Sequence, residues 1–208
     1  VTSFERLFPF ADYVTVNVSS PNTQGLRDLQ QVESLRELLG TLLERGRALA
    51  VDTGTNPLPI FVKIAPDMTA EQAAEIVELA AELGLHGIVA TNTTIARDGL
   101  TTPADRVAAI GAGGLSGAPL TERSRAFVSH LYTCAAGRLP IIGVGGIMNG
   151  DDAYEMIRAG ASVVQVYTGF IYAGPTFIRD IHRRLAERLD ADGYASIEEA
   201  VGAAHREG

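Results

Sequence analysis

Residues 16–23 read VNVSSPNT, an apolar, β-branched run that stops abruptly in Ser19, Ser20, Pro21, Asn22 and Thr23. With YVTVNVS starting at Tyr13, the chain contains five such runs; the others are IFVKIA from Ile60, GIVATNT from Gly87, PIIGVGG from Pro140 and SVVQVYT from Ser162. Each is apolar almost throughout, the pattern of parallel strands covered on both faces. Leucine-rich or capped helical patterns separate them: LQQVESLRELLGTLLERGRAL, TAEQAAEIVELAAELG, LTERSRAFVSHLYTCAAG and DDAYEMIRAGA. A further helix is expected from about Pro175 to Leu189, and a short one in SIEEAVGAAH. The order βαβαβαβαβα predicts a parallel α/β sheet with right-handed crossovers. All five strands stop in polar or glycine-rich ends: NVSSPNT, VKIAPD, ATNTT, GVGGI and VYTG. In parallel α/β folds that edge is where ligands bind. For any one strand these residues equally well begin a loop; five together point to a shared site.

The 208 residues are 46% hydrophobic and 20% charged, which fits one globular domain. A formal charge of -8 without any Lys/Arg block argues against nucleic acid as a partner. The longest apolar stretch, Leu139 to Met148, is too short to span a bilayer and is interrupted by glycines. The single cysteine, Cys134, lies in a helical pattern; it reads as a buried structural thiol in a reducing compartment. The opening VTSFERLFPFADY has no signal-peptide pattern and no initiator methionine, so a piece of a longer polypeptide is expected.

Lys63 sits within an otherwise apolar strand, where an ammonium needs a partner. Either it pairs with a carboxylate or it directs its charge at an anionic or electron-rich ligand. Gly143, Gly145 and Gly146, with Tyr167, Thr168 and Gly169, form a second cluster at the last two strand ends. There backbone N–H groups can approach a phosphate, with donors expected from the turn after Thr168 and the helix near Asp151. GAGGLSG (111–117) adds a further contact or serves flexibility alone, and no dinucleotide fingerprint G-x-G-x-x-G follows the first strand. Asn17, Ser20, Asn22, Asn92 and Thr93 supply neutral donors and acceptors, and no metal-ligand spacing is present. Such a site suits a planar, polar organic substrate beside a phosphorylated cofactor. The long loop from Ile95 to Pro119 is either a lid or a plain connector.

The motifs NVSSPNTQGLRDLQ, VKIAPD, VATNTTIARDG, GGLSGAPL, LPIIGVGGI and VQVYTGFIYAGP, in that order, resemble the quinone-dependent (class 2) dihydroorotate dehydrogenases. The resemblance implies a (β/α)8 TIM barrel of which this chain supplies about the last five βα units, as one domain over residues 1–208. It also implies that the first three strands, and the N-terminal helices that approach the membrane, lie outside this chain. The implied reaction oxidises (S)-dihydroorotate to orotate in pyrimidine biosynthesis, with FMN as cofactor and a membrane quinone as electron acceptor. Ser20 matches the catalytic base, with Thr23 acting through a water as the candidate activator. FMN contacts fall on Asn17, Lys63, Thr91, Gly117, Gly146, Tyr167 and Thr168. Substrate contacts fall on Asn17, Asn22, Asn92 and Thr93. The implied location is peripheral, at the cytoplasmic face of a bacterial membrane, through a segment outside this chain. Alternatives are a class 1 enzyme using fumarate or NAD, which has cysteine in place of Ser20, a non-redox phosphate-binding barrel, and a non-catalytic fragment.

Overall fold

The computed structural model describes residues 1–23 and 25–206. In chain order the elements are α1 (Thr2–Leu7), β1 (Val14–Asn17), α2 (Val32–Thr53), β2 (Ile60–Ile64), α3 (Ala70–Leu83), β3 (Gly87–Ala90), α4 (Ala104–Ile110), α5 (Thr121–Ala135), β4 (Ile141–Val144), α6 (Gly150–Arg158), β5 (Val163–Gln165), α7 (Thr168–Ala173), α8 (Phe177–Asp192) and α9 (Ile197–Ala200). The five strands form one sheet in the order β1-β2-β3-β4-β5, every pair parallel. A sheet whose spatial order follows the chain winds in one direction, so right-handed crossovers place successive helices on the same side. That is a segment of a barrel wall, unlike a doubly wound sheet, whose order reverses.

The strands alternate between two environments. In β2, Ile60, Val62 and Ile64 are buried against the helices, while Phe61 and Lys63 face the other side. The register carries this across the sheet: Val62 neighbours Val16 and Ile88, whereas Lys63 neighbours Asn17 and Val89. The core therefore fills the space between the sheet and its helices, with Leu35, Leu39 and Leu43 of α2, Ile76 and Val77 of α3, Val128 and Leu131 of α5, and Met156 of α6. Each such buried side chain contributes about 1.5–3 kcal/mol from the water it leaves. At the opposite face, Val163 and Tyr13 remain more than half exposed.

Local chemistry explains the helix ends. Thr69 and Gln72 form a reciprocal capping box at the start of α3, and Gly84 ends that helix in the left-handed conformation. Gly46 is the small position of α2 because the Phe4 ring packs against it, 3.3 Å from where a Cβ would stand. The expected helices are all present, with ends shifted by a few residues. Three short helices stand where the sequence pattern marks none: α1, α4 within the 95–119 loop, and α7. Cys134 lies on α5 as expected, but it is half-buried, with Sγ 3.5 Å from His130 Nε2 one turn earlier.

Candidate active site

The polar strand ends meet at one edge of the sheet. After β1, the fully buried Ser19 donates its hydroxyl to Asn17 Oδ1 at 2.9 Å. Asn92, after β3, donates its amide to Ser19 Oγ at 3.0 Å and to Asn17 Oδ1 at 3.3 Å. Its own Oδ1 accepts the Thr93 N–H at 2.8 Å. This chain of bonds locks two loops that are more than 70 residues apart in sequence and leaves the Asn17 NH2 without a partner among the described residues. Ser20 Oγ accepts the Asn22 N–H at 3.3 Å, which bends the chain so that both side chains stand beside this network. Thr23 is exposed and makes no direct hydrogen bond to Ser20.

A cleft of about 470 Å3 opens next to the network, within the roughly 300–1,000 Å3 range of small-molecule sites. Lys63 enters it from β2. Among the described residues no carboxylate lies within ion-pairing distance of its ammonium, and burial alone pulls its pKa below the ordinary lysine value. Of its two sequence readings, pairing with a carboxylate is thus absent from the described residues. Thr91, almost fully buried, donates its hydroxyl to Asn92 O at 2.9 Å and forms a wall.

Opposite Lys63 the cleft is lined by backbone. Ser124 Oγ donates to Gly145 O at 2.6 Å and Thr121 Oγ1 donates to Gly146 O, so α5 draws both carbonyls away. The N–H groups of Gly145, Gly146 and Ile147, and those of Thr168 and Gly169, make no backbone hydrogen bond among the described residues. These five residues line one end of the cleft, where N–H groups not spent on the backbone can serve as an anion cradle. Gly146 has φ +72°, and a Cβ there would lie 2.3 Å from the Thr121 backbone, so no other residue fits. At the start of α6, Asn149 Oδ1 accepts the Asp152 N–H, and Asp152 Oδ2 accepts the Met148 N–H just before the helix. Gly143 faces the other way, where a Cβ would strike Met156 at 2.6 Å. It serves packing between strand and helix.

The 95–119 loop returns over the site. Thr94 and Leu115 form an antiparallel bridge at its base, and Arg97 donates to Gly113 O at 2.6 Å. Its glycines lie on the β1 and β3 loops: a Cβ on Gly114 would stand 1.9 Å from Thr93 Oγ1 and 3.1 Å from Pro21. Thr168 donates to Ser116 at 2.9 Å, tying the loop's far end to the anion cradle.

Eight of the sequence-predicted residues line this one cleft: Lys63, Thr91, Asn92, Thr93, Gly117, Gly146, Tyr167 and Thr168. Asn17 joins through its bond to Asn92, while Ser20 and Asn22 stand on the flank rather than in the cleft wall. The Tyr167 side chain is 77% exposed, so only its backbone belongs to the cradle. Sequence reasoning missed Ser19, Thr121 and Ser124, and also Arg27 and Asp67, which cross-link the loops. Their signal lay in quoted motifs, but nothing local assigned them partners. Among the described residues no cluster of His, Cys, Asp and Glu could hold a metal ion.

A one-way parallel sheet with a polar pocket at its strand C-terminal ends is the architecture of a barrel segment with its ligand edge. The family model described as dihydroorotate dehydrogenase matches residues 1–189, and the chain belongs to that family. Relatives named dihydroorotate dehydrogenase (quinone) from Nocardia farcinica and Rhodococcus erythropolis are 58% and 54% identical over 99% and 97% of this chain. Both matches cover 54% of the relative, so the chain spans about half the length of the curated relatives it matches. A crystal structure of DHODH from Eimeria tenella in complex with ferulenol superposes with a TM-score of 0.88 at 40% identity, covering 99% of this chain and 57% of that one.

Proposed function

We propose that this chain forms the catalytic arc of an enzyme that oxidises (S)-dihydroorotate to orotate in pyrimidine synthesis, with FMN as cofactor and a membrane quinone as final electron acceptor. The observation that carries this reading is the placement of a five-donor anion cradle, an unpaired lysine and the Asn17–Ser19–Asn92 network around one cleft. The donor set fits FMN: the N–H groups of Gly146, Thr168 and Gly169 would hold its phosphate, and Lys63, Asn17 and Thr91 would hold its ring. FMN, when bound, supplies the two-electron acceptor for the hydride leaving substrate C6. Ser20 Oγ takes the proton from C5 as its own hydroxyl proton passes to a water held by Thr23. Asn17, Asn22, Asn92 and Thr93 hold the ring and carboxylate by neutral hydrogen bonds. The serine and the quinone-dependent relatives favour this reading over a class 1 enzyme, since Cys134 sits on α5, away from the site.

The two open edges of the sheet and its exposed inner face are completed in this reading by further barrel strands. Membrane contact is peripheral and lies outside residues 1–208; among the described residues no helix is long and apolar enough to cross a membrane.

The test is the visible absorption spectrum of the purified protein with FMN, before and after anaerobic addition of dihydroorotate. A flavin band that bleaches with dihydroorotate and returns with a soluble quinone supports the reading; a bound flavin that dihydroorotate leaves oxidised sinks it. The loop over the site makes a second prediction. Gly114→Ala forces the 113–115 backbone off Thr93 by more than an ångström, and shifts of that size cost up to about 100-fold. Its expected effect is a rise of roughly tenfold or more in the KM for dihydroorotate. Flavin affinity should be unaltered, because the cradle does not touch Gly114. Equilibrium flavin titration beside steady-state kinetics separates the two.

A further inference from the structure

We propose that Arg27 and Asp67 are positioning residues that hold the Ser20 loop in fixed relation to the Asn92–Thr93 loop; their catalytic consequence rests on the function proposed above. The guanidinium of Arg27 uses each of its three nitrogens on a different loop. Nε donates to Ser19 O at 3.2 Å after β1, Nη1 to Asp67 Oδ2 at 3.0 Å after β2, and Nη2 to Thr93 O at 3.1 Å after β3. Asp67 answers from the centre. It accepts the Thr94 hydroxyl and the Ile95 N–H at 3.0 Å, and Arg123 of α5 stands as a second ion-pair partner, Nη2 at 3.3 Å. Three hydrogen bonds and a second ion pair thus converge on one carboxylate. The pair is well shielded, with side-chain exposures of 23% for Arg27 and 12% for Asp67.

What the clamp fixes follows from peptide planarity. Holding Ser19 O orients the rigid peptide plane that joins Ser19 to Ser20, and holding Thr93 O orients the plane after Thr93. One planar cation thereby sets the distance between the proton acceptor and the residues that orient substrate. A lysine cannot reproduce this, because a point charge lacks the fork that reaches three acceptors at once. Burial by itself raises the pKa of Asp67, but the Thr94 hydroxyl, the Ile95 N–H and Arg27 outweigh it and hold the carboxyl below the usual range. The clamp is therefore ionised at neutral pH.

The experiment uses the full chain loaded with FMN and compares Arg27→Lys, Arg27→Ala and Asp67→Asn with wild type. Misplacing reacting groups by an ångström costs up to about 100-fold, so kcat should fall roughly 10–100-fold in each variant. Bound flavin should change by less than about threefold, since the cradle lies on other strand ends, while the KM for dihydroorotate should rise as well, because the Asn92–Thr93 loop holds substrate. In a Ser20→Ala background, Arg27→Lys should cost no more than about twofold further, because a residue that acts through Ser20 has little left to lose. Amide hydrogen exchange on the flavin-free chain gives a readout independent of activity: Arg27→Lys should speed exchange in segments 18–23 and 92–95 together and leave β4 unchanged. An equal rate loss with and without Ser20 would overturn the proposal, as would exchange that is unaltered or uniformly faster. If Arg27→Ala does not fold, Arg27→Lys and Asp67→Asn decide. If dihydroorotate leaves the wild-type flavin oxidised, the function proposed above falls, and the exchange measurement alone still judges the clamp.

Discussion

Ser20→Ala is expected to slow anaerobic bleaching of the flavin by dihydroorotate by about 10²–10⁴-fold, the range of a positioned general base. The proton at C5 then has no acceptor at that flank: among the described residues no histidine or carboxylate contacts Ser20, whose Oγ accepts only the Asn22 N–H. Flavin content should match wild type, because the cradle residues Gly146, Thr168 and Gly169 lie across the cleft from β1. Ser20→Cys sharpens the test. A thiol ionises near pH 8.5, far below a serine hydroxyl, so this variant should keep measurable activity with a profile that levels off at lower pH than wild type. Stopped-flow absorbance across pH measures both. A rate unchanged in Ser20→Ala would assign the proton to another group and remove Ser20 from the chemistry.

The strands were legible because a buried parallel strand leaves a strong composition signal, and α3 was legible because Thr69, Gln72 and Gly84 write both of its ends in sequence. The site was legible only where chemistry sits at a strand tip. Lys63 and Gly146 stand out in any apolar run, but Ser19 and Ser20 are indistinguishable until Ser19 is found buried and bonded across 73 residues to Asn92. Arg27 depends on partners 40 and 66 residues away, and an arginine at the start of a helical pattern reads as surface until they are in place. Thr121 and Ser124 look like ordinary residues of an amphipathic helix; their role is set by which carbonyls happen to face them. Helix α4 carries no side-chain cap and buries no residue, so neither pattern nor packing announces it. Conversely, the glycines of GVGGI gave one signal for two jobs, since Gly143 packs on Met156 while Gly146 shapes the cradle.

Lys63→Met should raise the thermal stability of the flavin-free chain and at the same time weaken FMN binding. Burial lowers the folded-state pKa of Lys63 below its unfolded value, and no carboxylate among the described residues offsets it. For a base shifted this way the unfolded chain holds more protons between the two pKa values, so stability rises with pH through that window. Below that window the buried charge is a net cost. A methionine fills the same space beside Val89 without that cost, and the flavin-free Tm should rise by a few degrees. In the loaded protein the sign reverses: a hydrogen bond from a charged donor contributes about 1.5–3 kcal/mol, so the Kd for FMN should rise roughly 10–100-fold. Melting curves with and without FMN would therefore cross, wild type being the less stable without ligand and the more stable with it. A flavin-free Tm that falls would show that Lys63 supports the fold rather than the ligand. The cost of an unpaired ammonium in an apolar strand is thus recovered only when the cleft is filled.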